Sequence, residues 1–273
     1  MKNFITPQEL VNIQKDVVIL DVRDDKAYAT GHIEGAFAIN LAGDLSGPVE
    51  EHGGRHPLPN MVEFAKKMER FGITKDTPVV ICDSWIFLAG RLWWMLKYIG
   101  LDVVKVLEGG IERWVKEGHT LTTDSTELPT ETSQLDYRLQ PHMLMSRAEV
   151  LAASENGDHI IVDARASERY DGSVIDTMDG MTGHIPTAVN YYWENCYTAN
   201  GLKSEAELKE MFKDLKTTKT PIVTYCGSGI TACLAMLAMS EIGIESALYV
   251  GSSSDWVTYE NFPIKTGCEF VKA

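Results

Sequence analysis

The sequence predicts an α/β protein with two related halves, each a mostly parallel sheet with helices on both faces. Short apolar runs such as Val17–Leu20 and Ile222–Tyr225 have the length and composition of buried strands. Amphipathic stretches such as Met61–Phe71 lie between the runs, with apolar side chains recurring at helical spacing. Strands that alternate with helices along a chain pair in parallel, so the alternation predicts this architecture.

A second observation is that the same series of local motifs occurs twice. It comprises a Ser/Thr-x-x-Glu helix start, an apolar strand ending in Asp-x-Arg, and a Gly-His-Ile turn, beginning at Thr6 and again at Ser146. The second Gly-His-Ile turn comes late in its half, which predicts an insertion near residues 172–182. We therefore expect a first domain at 1–121, a polar linker at 122–140 and a second domain at 141–273.

Composition limits the classes of partner. The chain of 273 residues contains 25 Lys and Arg against 39 Asp and Glu, a net charge of −14, which argues against nucleic acid and anionic membranes as partners. No apolar run has the length of a membrane-spanning helix, and we expect a cytoplasmic protein. The five cysteines and the histidines show neither disulfide nor metal-ligand spacing, so we expect no metal and no cofactor.

Cys226 is the main candidate for a reactive side chain. It lies between the strand Ile222–Tyr225 and an apolar helix that begins at Thr231, in a turn containing Gly227 and Gly229. Unpaired N–H groups at such a turn and helix start stabilise an anion, including a thiolate. A buried structural cysteine is the alternative interpretation.

The repeat supplies an internal comparison for Cys226. In the first half Asp83 occupies the equivalent position, and Cys82 is equivalent to Tyr225. The first half therefore has the same predicted scaffold without the nucleophile, which assigns the chemistry to the second half.

These motifs together resemble the two-domain rhodanese sulfurtransferases over nearly the whole chain. The resemblance rests on the Asp-x-Arg strand ends, both Gly-His-Ile turns, LEGGIERW, the CGSGITAC loop and GSSSDW. The CGSGITAC loop is most similar to the loop of the 3-mercaptopyruvate sulfurtransferases. Thiosulfate sulfurtransferases usually have basic residues there, and this loop has none.

The resemblance implies a mechanism in which sulfur passes through Cys226. Its thiolate takes a sulfur from a small anionic donor, and a persulfide forms. The sulfur then passes to cyanide, a thiol or a thioredoxin-like acceptor. Backbone amides of the loop would hold the anion, which makes Gly227, Gly229, Ile230 and Thr231 binding residues.

The resemblance also implies roles for side chains outside the loop. Arg169 matches the arginine that binds the donor, whereas the second arginine usual in the insertion is missing from residues 171–182. Ser228, His32 and Asp21 match a serine–histidine–aspartate relay. We expect structural roles for the two arginines of the Asp-x-Arg motifs, Arg23 and Arg165. We expect the same for the histidine of the second turn, His184.

Three alternatives remain open at this stage. Thiosulfate is the alternative donor, because the missing second arginine speaks for it and the neutral loop against it. A persulfide carrier or binding module with little turnover is the second alternative. A cysteine phosphatase is the third, but it needs an arginine that closes the loop on phosphate, and Ala232 occupies that position.

Overall fold

A computed structural model describes residues 1–198 and 201–267 of the chain, which form two units. Unit 1 comprises Met1–Gly47, Leu58–Gln140 and Gly201, and unit 2 comprises Pro48–Pro57, Pro141–Thr198 and the described chain from Leu202 onward. The segment 48–57 therefore belongs to unit 2, although the sequence analysis places it in the first domain.

Unit 1 contains a five-stranded sheet in which every pair is parallel. Its strands are β1 (Phe4–Ile5), β2 (Val18–Asp21), β3 (Ala36–Ala38), β4 (Val79–Cys82) and β5 (Val104–Leu107), in the spatial order β1-β5-β4-β2-β3. Its α-helices are α1 (Pro7–Ile13), α2 (Asp25–Thr30), α3 (Met61–Arg70), α4 (Ala89–Tyr98) and α5 (Gly110–Lys116). Shorter turns are a 3₁₀ turn at Gln14–Asp16 and a π-helical turn at Leu41–Leu45.

Unit 2 repeats this plan with a four-stranded parallel sheet. Its strands are β6 (Ile160–Asp163), β7 (Val189–Asn190), β10 (Ile222–Tyr225) and β11 (Ala247–Leu248), in the order β11-β10-β6-β7, while β8 (Tyr197–Thr198) and β9 (Gly201–Leu202) form a separate pair. Its helices are α6 (Arg147–Asn156), α7 (Ser167–Tyr170), α8 (Glu205–Met211), α9 (Lys213–Thr217), α10 (Thr231–Glu241) and α11 (Ser252–Trp256), with 3₁₀ turns at Pro141–Met143 and Trp193–Cys196. The predicted parallel α/β architecture is confirmed in both units.

The predicted helix starts have the expected hydrogen bonds. The hydroxyl of Thr6 accepts from the backbone N–H of Glu9 (3.2 Å), and the Glu9 carboxylate accepts from the backbone N–H of Thr6 (2.9 Å). Ser146 and Glu149 form the same reciprocal pair at the start of α6. Each pair satisfies N–H groups that a helix terminus leaves without an intrahelical partner, which explains why both helices begin where they do.

The segment 122–140, predicted as a linker, packs on unit 1. Thr122 and His32 form an isolated antiparallel bridge. The hydroxyl of Ser133 donates to the carbonyl of Ile73 (2.6 Å), and the backbone N–H of Gln140 donates to the carbonyl of Tyr98 (2.9 Å). The segment lacks helical or strand periodicity, yet its polar groups bond to the surface of that unit.

One predicted helix is divided in the structure. The sequence predicts a single helix over Ser204–Leu215, whereas α8 ends at Met211 and α9 begins at Lys213. Phe212 lies between the two helices, and its side chain is fully buried. In the described part of the chain, every helix is too short or too polar to span a membrane.

Candidate active site

Cys226 lies directly after the central strand β10, at the carboxyl edge of the unit 2 sheet. It is followed by a tight turn, and α10 begins at Thr231. Gly229 has a φ of 75°, and a Cβ there would lie 2.3 Å from the carbonyl oxygen of Val250. Glycine is therefore required at Gly229 both for its backbone conformation and for space.

A run of buried serines holds this turn from the adjacent segment. The backbone N–H of Cys226 donates to the hydroxyl of Ser252 (3.1 Å). Its carbonyl accepts from both the backbone N–H (3.0 Å) and the hydroxyl (2.8 Å) of Ser253. The backbone N–H of Ser254 donates to the carbonyl of Gly227 (2.9 Å). The GSSSDW motif thus fixes the backbone on both sides of the sulfur.

The other described thiols are buried, as is that of Cys226. Burial raises the pKa of Cys82 far above its usual value and raises that of Cys196 to about 12, so both remain protonated near neutral pH. The thiol of Cys233 is buried and donates to the carbonyl of Gly229 (3.3 Å), in agreement with the core position predicted for it. Cys268 lies outside the described residues.

The equivalent turn of unit 1 binds a carboxylate with its backbone amides. Asp83, at the position equivalent to Cys226, accepts from the N–H groups of Ser84 (2.6 Å), Leu88 (2.7 Å) and Ala89 (3.2 Å). Burial raises the pKa of Asp83 while these hydrogen bonds oppose the rise. The strand–turn–helix unit of this fold is therefore built to hold an anion, which supports the anion-binding role predicted for the turn after Cys226.

Ser228, in the Cys226 turn, pairs with a histidine that the sequence analysis did not select. The Nδ1 atom of His56 lies 2.8 Å from the hydroxyl oxygen of Ser228. His56 belongs to the segment 48–57, which the backbone N–H of Arg55 anchors to the hydroxyl of Ser254 (3.1 Å). Serine paired with imidazole is an arrangement suited to proton transfer.

His32 and Asp21, which the resemblance placed in a relay with Ser228, bond to other partners within unit 1. The ring nitrogens of His32 contact the carbonyl oxygens of Tyr28 (3.0 Å) and Asp124 (3.1 Å). Asp21 accepts from Nε (2.9 Å) and Nη2 (2.6 Å) of Arg23. Main-chain carbonyls thus hold the imidazole of His32 and an arginine holds the carboxylate of Asp21, whereas Ser228 has His56 as its hydrogen-bond partner.

Arg169 lies beside the Cys226 turn, because its Nη2 atom would be 3.2 Å from a Cβ placed on Gly227. It forms an ion pair with Asp176 (2.6 Å) and a second with Asp179. Burial opposes the charge of Asp176, but the N–H of Asp179 and the guanidinium of Arg169 lower its pKa below the usual value. Arg169 is therefore a partly exposed cation on two buried carboxylates.

A second arginine reaches the same carboxylate from the segment 48–57. Nε and Nη2 of Arg55 lie 2.8 Å and 2.5 Å from Oδ1 of Asp179. Residues 171–182 contain no arginine, and Arg55 contacts this insertion from outside it, through Asp179. Its only signal in the sequence was a basic pair, Arg55-His56, in a Gly-rich stretch of an acidic chain.

The two structural arginines form local pairs as predicted. Arg165 is fully buried and donates to Asp163 (2.5 Å) and to the carbonyl of Gly183 (2.6 Å). Burial opposes its charge, but Asp163 raises the pKa of Arg165 above the usual value. The hydroxyl of Tyr225 also donates to Asp163 (2.6 Å), so this pair fixes the end of β10 immediately before Cys226.

The second turn histidine also has the structural role predicted for it. Nδ1 of His184 lies 2.8 Å from the carbonyl oxygen of Tyr170, and the two rings stack with centroids 4.0 Å apart. Residues 1–198 and 201–267 contain no group of three or more His, Cys, Asp or Glu side chains suited to a metal ion. The side chains grouped with the Cys226 turn in unit 2 are a serine–histidine pair and two arginines.

A strand–turn–helix unit that occurs in each of two parallel α/β units, with a cysteine in the turn of the second, is the arrangement of a rhodanese-type protein. The Rhodanese-like domain family matches residues 6–117 and 146–259. The chain therefore belongs to the rhodanese family with two such domains, and it is an enzyme of the sulfurtransferase class.

Similar proteins are named after two different sulfur donors, 3-mercaptopyruvate and thiosulfate. The 3-mercaptopyruvate sulfurtransferase of Escherichia coli K12 is 31% identical to this chain, over 87% of this chain and 84% of its own length. The thiosulfate sulfurtransferase of Gallus gallus is 34% identical, over 82% of this chain and 78% of its own length. The solved structure of the 3-mercaptopyruvate sulfurtransferase from Leishmania major matches with a TM-score of 0.85 and 27% identity, covering 96% of this chain and 76% of that one.

Proposed function

We propose that the enzyme transfers sulfur from 3-mercaptopyruvate to a thiophilic acceptor through a persulfide on Cys226. The observation that carries the proposal is the grouping in unit 2 of the Cys226 turn with the Ser228–His56 pair and with Arg55 and Arg169. A nucleophile, a proton-transfer pair and cations for a carboxylate are the three groups that this donor requires.

In the first half-reaction the Cys226 thiolate attacks the donor sulfur and forms an S–S bond. The C–S bond breaks, and its electron pair passes to the carbon, which becomes the enolate carbon of pyruvate. That carbon takes a proton, which Ser228 delivers and His56 replaces. The backbone amides of the turn, including those of Gly227, Gly229, Ile230 and Thr231, stabilise the anionic sulfur. In the turn of unit 1, the amides of Ser84 and Leu88 bind the carboxylate of Asp83 in a similar way.

In the second half-reaction a nucleophilic acceptor such as cyanide or a thiolate attacks the outer persulfide sulfur. The S–S bond breaks, and its electron pair returns to Cys226 as the thiolate. A small thiol and a thioredoxin-like protein satisfy the same chemistry, because each offers a thiolate.

Thiosulfate is the second candidate donor, since relatives with both donor names have similar identity to this chain. The two donors differ in their leaving groups. Sulfite leaves thiosulfate as a stable anion and needs no proton, whereas the pyruvate enolate does. A serine–histidine pair beside the nucleophile therefore favours 3-mercaptopyruvate.

The proposal is tested by steady-state sulfur transfer to cyanide with each donor in turn. We expect a higher kcat/KM with 3-mercaptopyruvate than with thiosulfate. A higher kcat/KM with thiosulfate would contradict the donor assignment, and the absence of turnover with both would favour a persulfide carrier.

Substituting the arginines tests how the donor is bound. We expect Arg169→Ala and Arg55→Ala each to raise KM for 3-mercaptopyruvate about tenfold, because each removes a charge-assisted hydrogen bond to the donor carboxylate. KM for cyanide should change much less.

Arg113 is a matched control for these substitutions, because it also lies between two carboxylates, Glu108 (2.8 Å) and Glu117 (2.7 Å), but in unit 1. Arg113→Ala should leave KM for the donor unchanged. An unchanged donor KM in Arg169→Ala would mean that Arg169 only holds the insertion in place.

A further inference from the structure

The carboxylate of Asp179 occupies the space between the two proposed donor-binding arginines. Oδ1 contacts Arg55, Oδ2 contacts Arg169, and the side chain is fully buried. A Cβ on Gly227 would lie 2.0 Å from Oδ2 of Asp179, so this carboxylate also packs directly on the residue after Cys226. The chain thus places one of its own carboxylates where a donor carboxylate would bind.

A short turn of the insertion holds Asp179 in this position. Oδ1 of Asp176 accepts from the N–H groups of Met178 and Asp179, each at 3.1 Å, and its Oδ2 pairs with Arg169 (2.6 Å). Ile175 and Met178, on the same turn, are 76% and 67% exposed. The acidic side chains are therefore buried beneath a turn whose apolar side chains face solvent, and few apolar contacts hold the turn itself.

The charges leave no place for a second carboxylate while Asp179 stays. Arg55, Arg165 and Arg169 carry three positive charges, and their partners Asp163, Asp176 and Asp179 balance them. Asp176 and Asp179 already share Arg169, so a donor carboxylate added to this group would bring a third negative charge against the same guanidinium groups in a partly buried site. An anionic donor must therefore displace Asp179 from both arginines.

We propose that Asp179 is a specificity-determining residue of the donor site, an internal carboxylate that a monocarboxylate donor replaces on Arg55 and Arg169. The planar, two-oxygen group of Asp179 bridges the two guanidinium groups, so these are already spaced for a carboxylate. The ligand class is a 2-oxo monocarboxylate. This inference rests on the proposed function only in taking the donor to be a carboxylate.

The test uses pyruvate, the carbon product of the proposed reaction, as an unreactive ligand. Calorimetric titration with pyruvate is made on full-length Cys226→Ser and on Cys226→Ser/Asp179→Asn, so that no sulfur transfer intervenes. Removing the internal competitor should lower the Kd of pyruvate about tenfold. A Kd that is unchanged or higher would overturn the proposal, because Asp179 would then only position the arginines.

Asp171→Asn is the matched control, because Asp171 lies at the start of the same insertion and accepts from the N–H of Ser173 (2.7 Å), a bond that asparagine retains. It should leave the Kd of pyruvate unchanged. An equal decrease of the Kd of pyruvate in Asp171→Asn would overturn the proposal, because the loss of any negative charge would then have the same effect.

A measurement on the unmodified chain covers the case in which Asp179→Asn does not fold. Displacement of Asp179 should break the turn at Asp176, so pyruvate should accelerate hydrogen exchange at the amides of Met178 and Asp179. Unchanged exchange at saturating pyruvate would overturn the proposal. Transfer from 3-mercaptopyruvate without tighter pyruvate binding would reject only this inference, and tighter pyruvate binding without transfer would reject only the proposed function.

Discussion

Replacing Cys226 with serine should reduce sulfur transfer from both donors to the uncatalysed rate, a loss of at least about 10³-fold in kcat. The serine hydroxyl is almost fully protonated near neutral pH, and its oxygen cannot form the persulfide on which both half-reactions depend. Serine fits the space of the thiol, and the hydrogen bonds that residue 226 forms with Ser252 and Ser253 involve only the backbone of residue 226. We therefore expect the fold to be retained, as checked by circular dichroism and thermal unfolding.

Cys233→Ser is the matched control for this substitution. Cys233 is the next thiol along the chain, is buried in α10 and donates to the carbonyl of Gly229, a bond that a serine hydroxyl retains. Its kcat should remain within a few-fold of the unmodified enzyme. If sulfur transfer survives in Cys226→Ser and disappears in Cys233→Ser, the reactive thiol is Cys233, and the assignment to Cys226 is contradicted.

Replacing His56 with alanine should separate the two donors. Without its imidazole partner, Ser228 has no group to replace the proton that it delivers to the pyruvate enolate. We expect kcat with 3-mercaptopyruvate to fall about 10²-fold, the usual contribution of general acid catalysis. With thiosulfate, whose leaving group needs no proton, kcat should change little. Steady-state kinetics with each donor provide the comparison.

His52→Ala is the control, because His52 lies on the same segment, 48–57. Its Nδ1 atom is 2.8 Å from the hydroxyl of Thr258, and its ring stacks on Tyr259. An effect of His52→Ala equal to that of His56→Ala would mean that the segment acts only by packing. If His56→Ala lowers kcat equally with both donors, the proton-transfer role of His56 is contradicted.

The sequence was sufficient to predict the parallel α/β class and the Cys226 turn, because both depend on local patterns. The strand Ile222–Tyr225 and the helix Thr231–Glu241 have the bounds that their apolar runs predict. Cys226 could be located from its immediate neighbours, because the small residues of the turn are visible in the sequence. In the structure these small residues permit the close approach of Val250. The internal repeat added that Asp83 occupies the position of Cys226 in the first half.

The partners of Ser228 and Arg169 could not be predicted in the same way. His56 and Arg55 lie in a segment without periodicity, and they reach the second unit only through contacts with residues far along the chain, such as Ser254. The family resemblance pointed to His32 as the partner of Ser228, and it placed the second arginine within the insertion. Neither the local sequence pattern nor the resemblance indicates that residues 48–57 belong with unit 2, because this depends on contacts between residues far apart in the chain.

The buried Asp179 illustrates a different limit. In the sequence it is one of 39 acidic residues in a polar insertion, where the expected state is a solvated carboxylate. Its burial follows from two arginines on separate segments, and neither the spacing from Arg169 nor that from Arg55 indicates a pair.

The most direct test of the account is the intact mass of the enzyme after exposure to 3-mercaptopyruvate without an acceptor. We predict that each chain gains the mass of one sulfur atom, that peptide mapping places it on Cys226, and that cyanide removes it. Turnover without such an adduct, or an adduct on Cys82, Cys196 or Cys233, would contradict the central claim that the second unit carries sulfur on Cys226.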